Sequence, residues 1–207
     1  AGARSGAPPA VESFSARLPA GTITVLLGSS GCGKTTLLRM VNRMVDPTEG
    51  RVLLDGEDVC ERNPVSLRRS IGYVMQNAGL LPHRRVIDNI TLVPRLGGVG
   101  RPAARERALE LMDMLDLDSG LAQRYPHQLS GGQAQRVGVA RALAADPGVL
   151  LMDEPFGAVD PLVRRELQRE LIRIQADLAK TIVFVTHDVD EALVLGDEII
   201  LLSEGAH

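Results

Sequence analysis

The sequence predicts an α/β fold: a parallel-sheet core, a small antiparallel β region and an inserted α-helical lobe. Three observations predict it. Short apolar runs alternate with helical periods, the pattern of strand–helix–strand units. The first apolar run ends in the glycine-rich stretch Gly28-Ser29-Ser30-Gly31-Cys32-Gly33-Lys34-Thr35. Between residues 76 and 145 strand signals give way to mostly helical ones.

Taken in order, residues 22–27 form a short apolar run closed by glycine, as expected of a strand buried on both faces. From Gly33, Leu37, Leu38, Val41 and Met44 recur at helical spacing, and Asp46-Pro47 ends that helix. Residues 52–54 followed by Asp55-Gly56 read as a strand and tight turn. Residues 71–75 form another strand. In the helical stretch, residues 102–117 carry Leu109, Met112 and Leu115 on one face, and residues 133–145 carry Val137, Val139, Ala140 and Leu143. Strands return at 149–152 and 181–185, separated by a long helix at 161–178, and a last strand covers 199–202. No internal repeat is present. The expected organisation is a single domain over residues 1–207, with residues 1–76 and 146–207 as the catalytic core and 77–145 as the helical lobe. Residues 1–9 read as a poorly ordered start.

The chain of 207 residues is 44% hydrophobic and 24% charged, the balance of an ordinary globular domain. A net charge of −3 and a pI near 5.8 argue against nucleic acid as a main partner, since such binders carry a strong basic footprint. No apolar run reaches the roughly 18–20 residues that span a bilayer. Residues 1–10 have no apolar segment of the kind a signal peptide needs. The cysteines, Cys32 and Cys60, suggest no disulfide framework, which fits a reducing cytoplasm. His83, His127, His187 and His207 lack metal-ligand spacing.

The chemistry concentrates at two places. The stretch Gly28–Thr35 satisfies G-x-x-x-x-G-K-[ST] between a predicted strand and a predicted helix, so a P-loop NTPase core is expected. Its glycines allow backbone amides to point inward and cradle phosphates. Lys34 supplies a point charge to the outer phosphates, the Thr35 hydroxyl is placed to ligate Mg²⁺, and the helix from Lys34 through Thr36 adds its positive end. Val149-Leu150-Leu151-Met152-Asp153-Glu154 is a Walker B pattern. A buried strand delivers Asp153 to the edge where α/β sheets bind ligands. There Asp153 can hold Mg²⁺, and Glu154 can polarise an attacking water.

With these motifs, Leu129-Ser130-Gly131-Gly132-Gln133 makes the chain resemble the ATP-binding subunits of ABC transporters, over about residues 11–205. Physically that segment is a second anion site, with Ser130 and the Gly131 and Gly132 amides preceding a helix. In the family it faces the γ-phosphate held by the opposing subunit, so the resemblance implies a homodimer that sandwiches ATP. Gln76 matches the family's Q-loop glutamine, which senses Mg²⁺ and the attacking water. His187 matches the switch histidine. Asp160 matches the D-loop that crosses the dimer interface, and it is also expected to cap the helix beginning at Pro161.

Finer features are similar to importers of quaternary-amine osmoprotectants (glycine betaine, choline, carnitine). They are Val41-Asn42-Arg43-Met44, Asp46-Pro47-Thr48-Glu49-Gly50, Asp55-Gly56-Glu57-Asp58, Arg124-Tyr125-Pro126-His127 and Asp188-Val189-Asp190-Glu191-Ala192. The resemblance implies a separate integral membrane permease, an extracytoplasmic solute-binding protein and a place at the cytoplasmic face of the membrane. Leu80, Leu81, Val86 and Ile87 belong either to the permease-docking surface or to the lobe's own core. The family's adenine-stacking aromatic has no clear counterpart: Phe14 is the sole aromatic before Gly28 and is expected in the core. Residues 1–10 also lack the apolar run of the family's first strand. Non-transport ABC ATPases share this core but usually carry coiled-coil insertions or tandem cassettes. A catalytically silent module would be expected to lose Glu154 or His187.

Overall fold

A computed structural model of the chain describes residues 10–203. The expectation of a loose start at residues 1–9 lies outside them. Among the described residues a five-stranded sheet forms the core. Its strands are β1 (Ile23–Gly28), β4 (Ile71–Val74), β5 (Val149–Asp153), β6 (Thr181–Thr186) and β7 (Glu198–Leu202), in the order β4-β5-β6-β1-β7. Every pairing in it is parallel. The remaining strands, β2 (Leu53–Leu54) and β3 (Glu57–Asp58), make a separate antiparallel pair across the Asp55-Gly56 turn.

Period-two alternation builds the core on both faces of the sheet. Val25, Leu150, Met152, Ile182 and Phe184 face one cluster. Leu26, Leu151, Val183 and Val185 face the other, against Leu38 of helix α1 (Lys34–Val41) and Leu67 of α2 (Pro64–Ser70). Phe184 is fully buried and packs against Phe156, with ring centroids 5.6 Å apart. The edge strand β7 exposes Leu201.

Between β4 and β5 every regular element is helical: α3 (Val86–Ile90), α4 (Leu92–Leu96), α5 (Arg101–Met114) and α6 (Gly131–Leu143), with short 3₁₀ turns. Met112, Leu115, Val137, Ala140 and Leu143 are buried there, as their spacing predicts. After β5 come α7 (Pro161–Leu178) and α8 (Val189–Leu195).

Two expectations need correction, and one open alternative is decided. Helix α1 stops at Val41, before Met44. Arg43 takes a left-handed φ of 55°, and the Met44 amide turns back to the Arg39 carbonyl at 2.9 Å. Phe14 is not in the core; it is 37% exposed on an irregular segment ahead of β1. Val86 and Ile87 are buried, so they belong to the core under α6 and not to a docking surface.

Phe184→Ala is expected to cost about 3–5 kcal/mol, the range for an aromatic removed from a close-packed core. A lower urea midpoint at unchanged slope checks this. Glu191, 5% exposed, bonds Gln168 across the α7–α8 contact. Burial is the main cause that raises its pKa above the ordinary 4.5. The folded chain therefore keeps this proton to higher pH than the unfolded chain does. That contribution to stability is present below the unfolded pKa and is lost as pH rises through the folded one. Glu191→Gln is expected to flatten that slope in urea unfolding across the acid range.

Candidate nucleotide site

The carboxyl ends of the parallel strands place the candidate residues along one sheet edge, where open α/β sheets take their ligands. Strand β1 runs out at Gly28 into the glycine-rich loop. A Cβ at Gly28 would lie 2.3 Å from the Leu202 carbonyl oxygen of the neighbouring strand, so no larger residue fits. Gly33, at φ 91°, starts α1 without any side-chain cap. Ser29, Ser30 and Gly31 are exposed, while Cys32 and Thr36 are half-buried.

Lys34 is folded into this loop and only 4% exposed. Its Nζ donates to the Gly28 carbonyl at 2.7 Å and the Ser29 carbonyl at 2.6 Å, and lies 3.6 Å from Cys32 Sγ. The ammonium is thus held by the loop's own carbonyls. The next residue ties the loop to the sheet: Thr35 Oγ1 donates to Asp153 Oδ1 at 2.8 Å. Asp153 Oδ2 accepts from the Tyr73 hydroxyl at 3.2 Å.

Glu154 follows at a left-handed φ of 46°, a conformation disfavoured for a residue with a side chain. Its amide donates to the Val185 carbonyl at 3.0 Å, which holds the turn against β6. Its Oε2 lies 3.1 Å from His187 Nδ1. Two residues far apart in sequence meet here at the ends of adjacent strands.

Gln76 stands just past β4 and is exposed. A Cβ at Gly157 would lie 3.1 Å from its Nε2, so the amide rests against the loop after Glu154. Among the described residues no hydrogen bond joins Gln76 to Thr35 or Asp153. Asp160 caps α7, its Oδ1 accepting from the Leu162 and Val163 amides at 3.1 Å each.

Ser130 opens α6 through a reciprocal capping box. Its Oγ accepts from the Gln133 amide at 3.2 Å, and Gln133 Oε1 accepts from the Ser130 amide at 3.0 Å. Gly131 faces open space, whereas a Cβ at Gly132 would lie 2.6 Å from Val163 Cγ1. Gly132, itself buried, therefore permits close approach of α6 and α7. No hydrogen bond among the described residues links residues 130–133 to the phosphate loop.

Sequence reasoning missed the residues that hold these pieces in place. Gln135 Nε2 donates to the Met75 carbonyl at 3.3 Å, and Arg141 donates to the Ala78 and Gly79 carbonyls at 2.7 Å each. Burial lowers the Arg141 pKa. Arg164 bridges Asp188, beside His187, and the Val159 carbonyl, beside Asp160, at 3.3 Å each. No local signal points to them: Gln135 and Arg141 are six residues apart on α6, off the i,i+3 and i,i+4 spacing of a shared face, and Arg164 lies on α7.

The site's donors suit Mg²⁺. Thr35 and Asp153 present hard oxygens side by side, and Mg²⁺ binds through one or two carboxylates plus substrate phosphates rather than a protein cage. Among the described residues no group of three or more His, Cys, Asp or Glu forms such a cage.

A protein-family model described as ABC transporter matches residues 11–157. The chain belongs to that family. It is 51% identical over 196 residues to the glycine betaine/carnitine/choline transport ATP-binding protein OpuCA of Bacillus subtilis, covering 95% of this chain and 52% of OpuCA. It is likewise 51% identical over 197 residues to the osmoprotectant import ATP-binding protein OsmV of Salmonella typhimurium, covering 95% of this chain and 52% of OsmV. The chain thus spans about half the length of these curated relatives. Among solved structures, the dimeric ABC transporter cassette MJ0796 superposes with a TM-score of 0.84 at 35% identity, covering 95% of this chain and 87% of the cassette. The same cassette has been solved as a dimer in a post-hydrolysis state with ADP and Pi, with a TM-score of 0.84 at 34% identity, covering 95% of this chain and 87% of that one.

Arg141→Ala is expected to leave the Ala78 and Gly79 carbonyls without their partner and to cost about 2–3 kcal/mol. Faster amide exchange confined first to residues 75–79 would report it. Global unfolding without that local loosening would contradict the assignment.

Proposed function

We propose that this chain is the ATP-hydrolysing unit of an importer of quaternary-amine osmoprotectants. The observation that carries the proposal is the meeting, at one sheet edge, of two pairs. Thr35 with Asp153 sits beside the glycine-rich loop, and Glu154 with His187 sits at the ends of the adjoining strands β5 and β6. The names of the relatives support the solute class, and the family supports the coupling to transport.

In this reading Gly28, Ser29, Ser30, Gly31, Cys32, Gly33, Lys34, Thr35 and Thr36 hold the phosphates of ATP. Lys34 exchanges its loop carbonyls for phosphate oxygens. Thr35, Asp153 and Gln76 hold Mg²⁺, whose chemistry is to neutralise charge on the transferring phosphoryl group. Glu154 orients and deprotonates water, and His187 keeps the Glu154 carboxylate aimed. Residues 77–145 act as a lobe joined to the core through Gln76, and the clamp by Gln135 and Arg141 supports that reading.

Ser130, Gly131, Gly132, Gln133 and Asp160 serve the nucleotide of a second copy, giving a homodimer with ATP between facing helix starts. The exposed Ser130 and the absence of hydrogen bonds to the chain's own phosphate loop among the described residues support this. Partners then are ATP, a second copy, a membrane permease at the cytoplasmic face and, through it, an extracytoplasmic solute-binding protein. Among the described residues no helix is long and apolar enough to cross a membrane.

Glu154→Gln is expected to bind Mg·ATP normally, to release phosphate roughly 10²-fold more slowly, and to form a dimer in saturating Mg·ATP by light scattering. A monomer under those conditions, with Ser130→Ala leaving turnover intact, would refute the sandwich. Lys34→Ala is expected to lose nucleotide binding by calorimetry.

A further inference from the structure

One hydrogen bond at the sheet edge has no part in the roles assigned above. Asp153 has both carboxylate oxygens engaged: Oδ1 by Thr35 at 2.8 Å, and Oδ2 by the Tyr73 hydroxyl at 3.2 Å. The strand register accounts for the second contact. β4 runs parallel to β5 with Tyr73 beside Leu151, so Tyr73, Leu151 and Asp153 point to the same face. Tyr73 packs there on the cluster that contains Leu151 and Leu38. From that anchor its ring reaches diagonally along the strand to the carboxylate.

An aspartate carboxylate has a broad, roughly two-fold χ2 preference, so its plane is set by its partners and not by its rotamer. The Thr35 hydroxyl is one partner, but the proposed function turns that hydroxyl toward the cation. A second anchor is then required to keep the carboxylate from rotating. We propose that Tyr73 is a positioning residue that holds Asp153 Oδ2 and so reserves Oδ1 for the cation on the Thr35 side. This rests on the reading of Asp153 as a Mg²⁺-holding group. Tyr73 itself touches neither nucleotide nor reacting atoms.

The phenol is suited to the task. At neutral pH the hydroxyl keeps its proton and donates it to the carboxylate. Phenylalanine would fill the same space without this donor.

The test uses the full chain and its Tyr73→Phe variant, with Mn²⁺ as a paramagnetic probe in saturating ADP. The Mn²⁺ binding midpoint, read by electron paramagnetic resonance, is expected to weaken roughly tenfold, the size expected for loss of a hydrogen bond to a charged group. Metal-free ADP affinity, read by calorimetry in chelator, is expected to stay unchanged. Tyr73→Met, which keeps apolar contact without a hydroxyl, should show the same split. An unshifted Mn²⁺ midpoint in Tyr73→Phe, or an equal loss of metal-free affinity, overturns the proposal. A wild-type chain that binds no Mn²⁺ with ADP overturns the role of Asp153 and this proposal with it. A wild type that binds Mn²⁺ normally beside an unshifted variant overturns the role of Tyr73 alone.

Discussion

The carboxylate of Asp153 joins three elements that the chain order keeps apart. It ends β5, accepts from Thr35 on α1 and accepts from Tyr73 on β4. It adds a polar tie from the loop to β5, beside the covalent link to β1 and the packing of Leu38 on the sheet. The loop's own geometry is demanding, since Gly28 and Gly33 both sit where a Cβ would strike backbone. A charge-assisted hydrogen bond from the first turn of α1 is the anchor that keeps such a loop in one conformation. The parallel register of β4, β5 and β6 then brings Gln76, Glu154 and His187 to the same edge.

Helix α6 is the second organising element. Its N-terminus is closed by the Ser130–Gln133 capping box, its flank grips residues 75–79 through Gln135 and Arg141, and Arg136 pairs with Glu170 of α7 at 3.0 Å. Glu170 is buried, and burial raises its pKa against the pull of Arg136. Desolvation offsets much of what such a pair gains, so its contribution lies in orientation more than in stability. Any tilt of α6 therefore moves both the Ser130 segment and the turn that carries Gln76. In a proposed ATP-sandwiched dimer, that mechanical link would connect the nucleotide edge to the helical lobe.

Strain and polar contacts meet at the turn after β5. Glu154 holds a left-handed backbone, and its side chain meets His187. Arg164 ties the segment before α7 to the segment after His187 through Val159 and Asp188. Backbone strain is sustained only where neighbouring contacts over-determine it. Here the Val185 carbonyl and the His187 ring supply those contacts.

The linear pattern of residues by itself determined the α/β class, the glycine-rich loop, the strand that ends in Asp153-Glu154 and the helix start that follows Ser130. Each is local: periodicity, glycine spacing and capping chemistry operate within a few residues. Phe14 and the end of α1 were misjudged because exposure and a left-handed Arg43 depend on contacts that no local pattern contains. Val86 and Ile87 were ambiguous for the same reason, since an apolar pair reads alike under a helix or on a surface. Only the tertiary structure decided that Tyr73 meets Asp153, that Glu154 meets His187, that Arg141 binds carbonyls far along the chain and that Arg164 reaches the Asp188 carboxylate. Those pairings follow from strand order and register, which arise when distant segments close a common core, and they are invisible until that core is assembled.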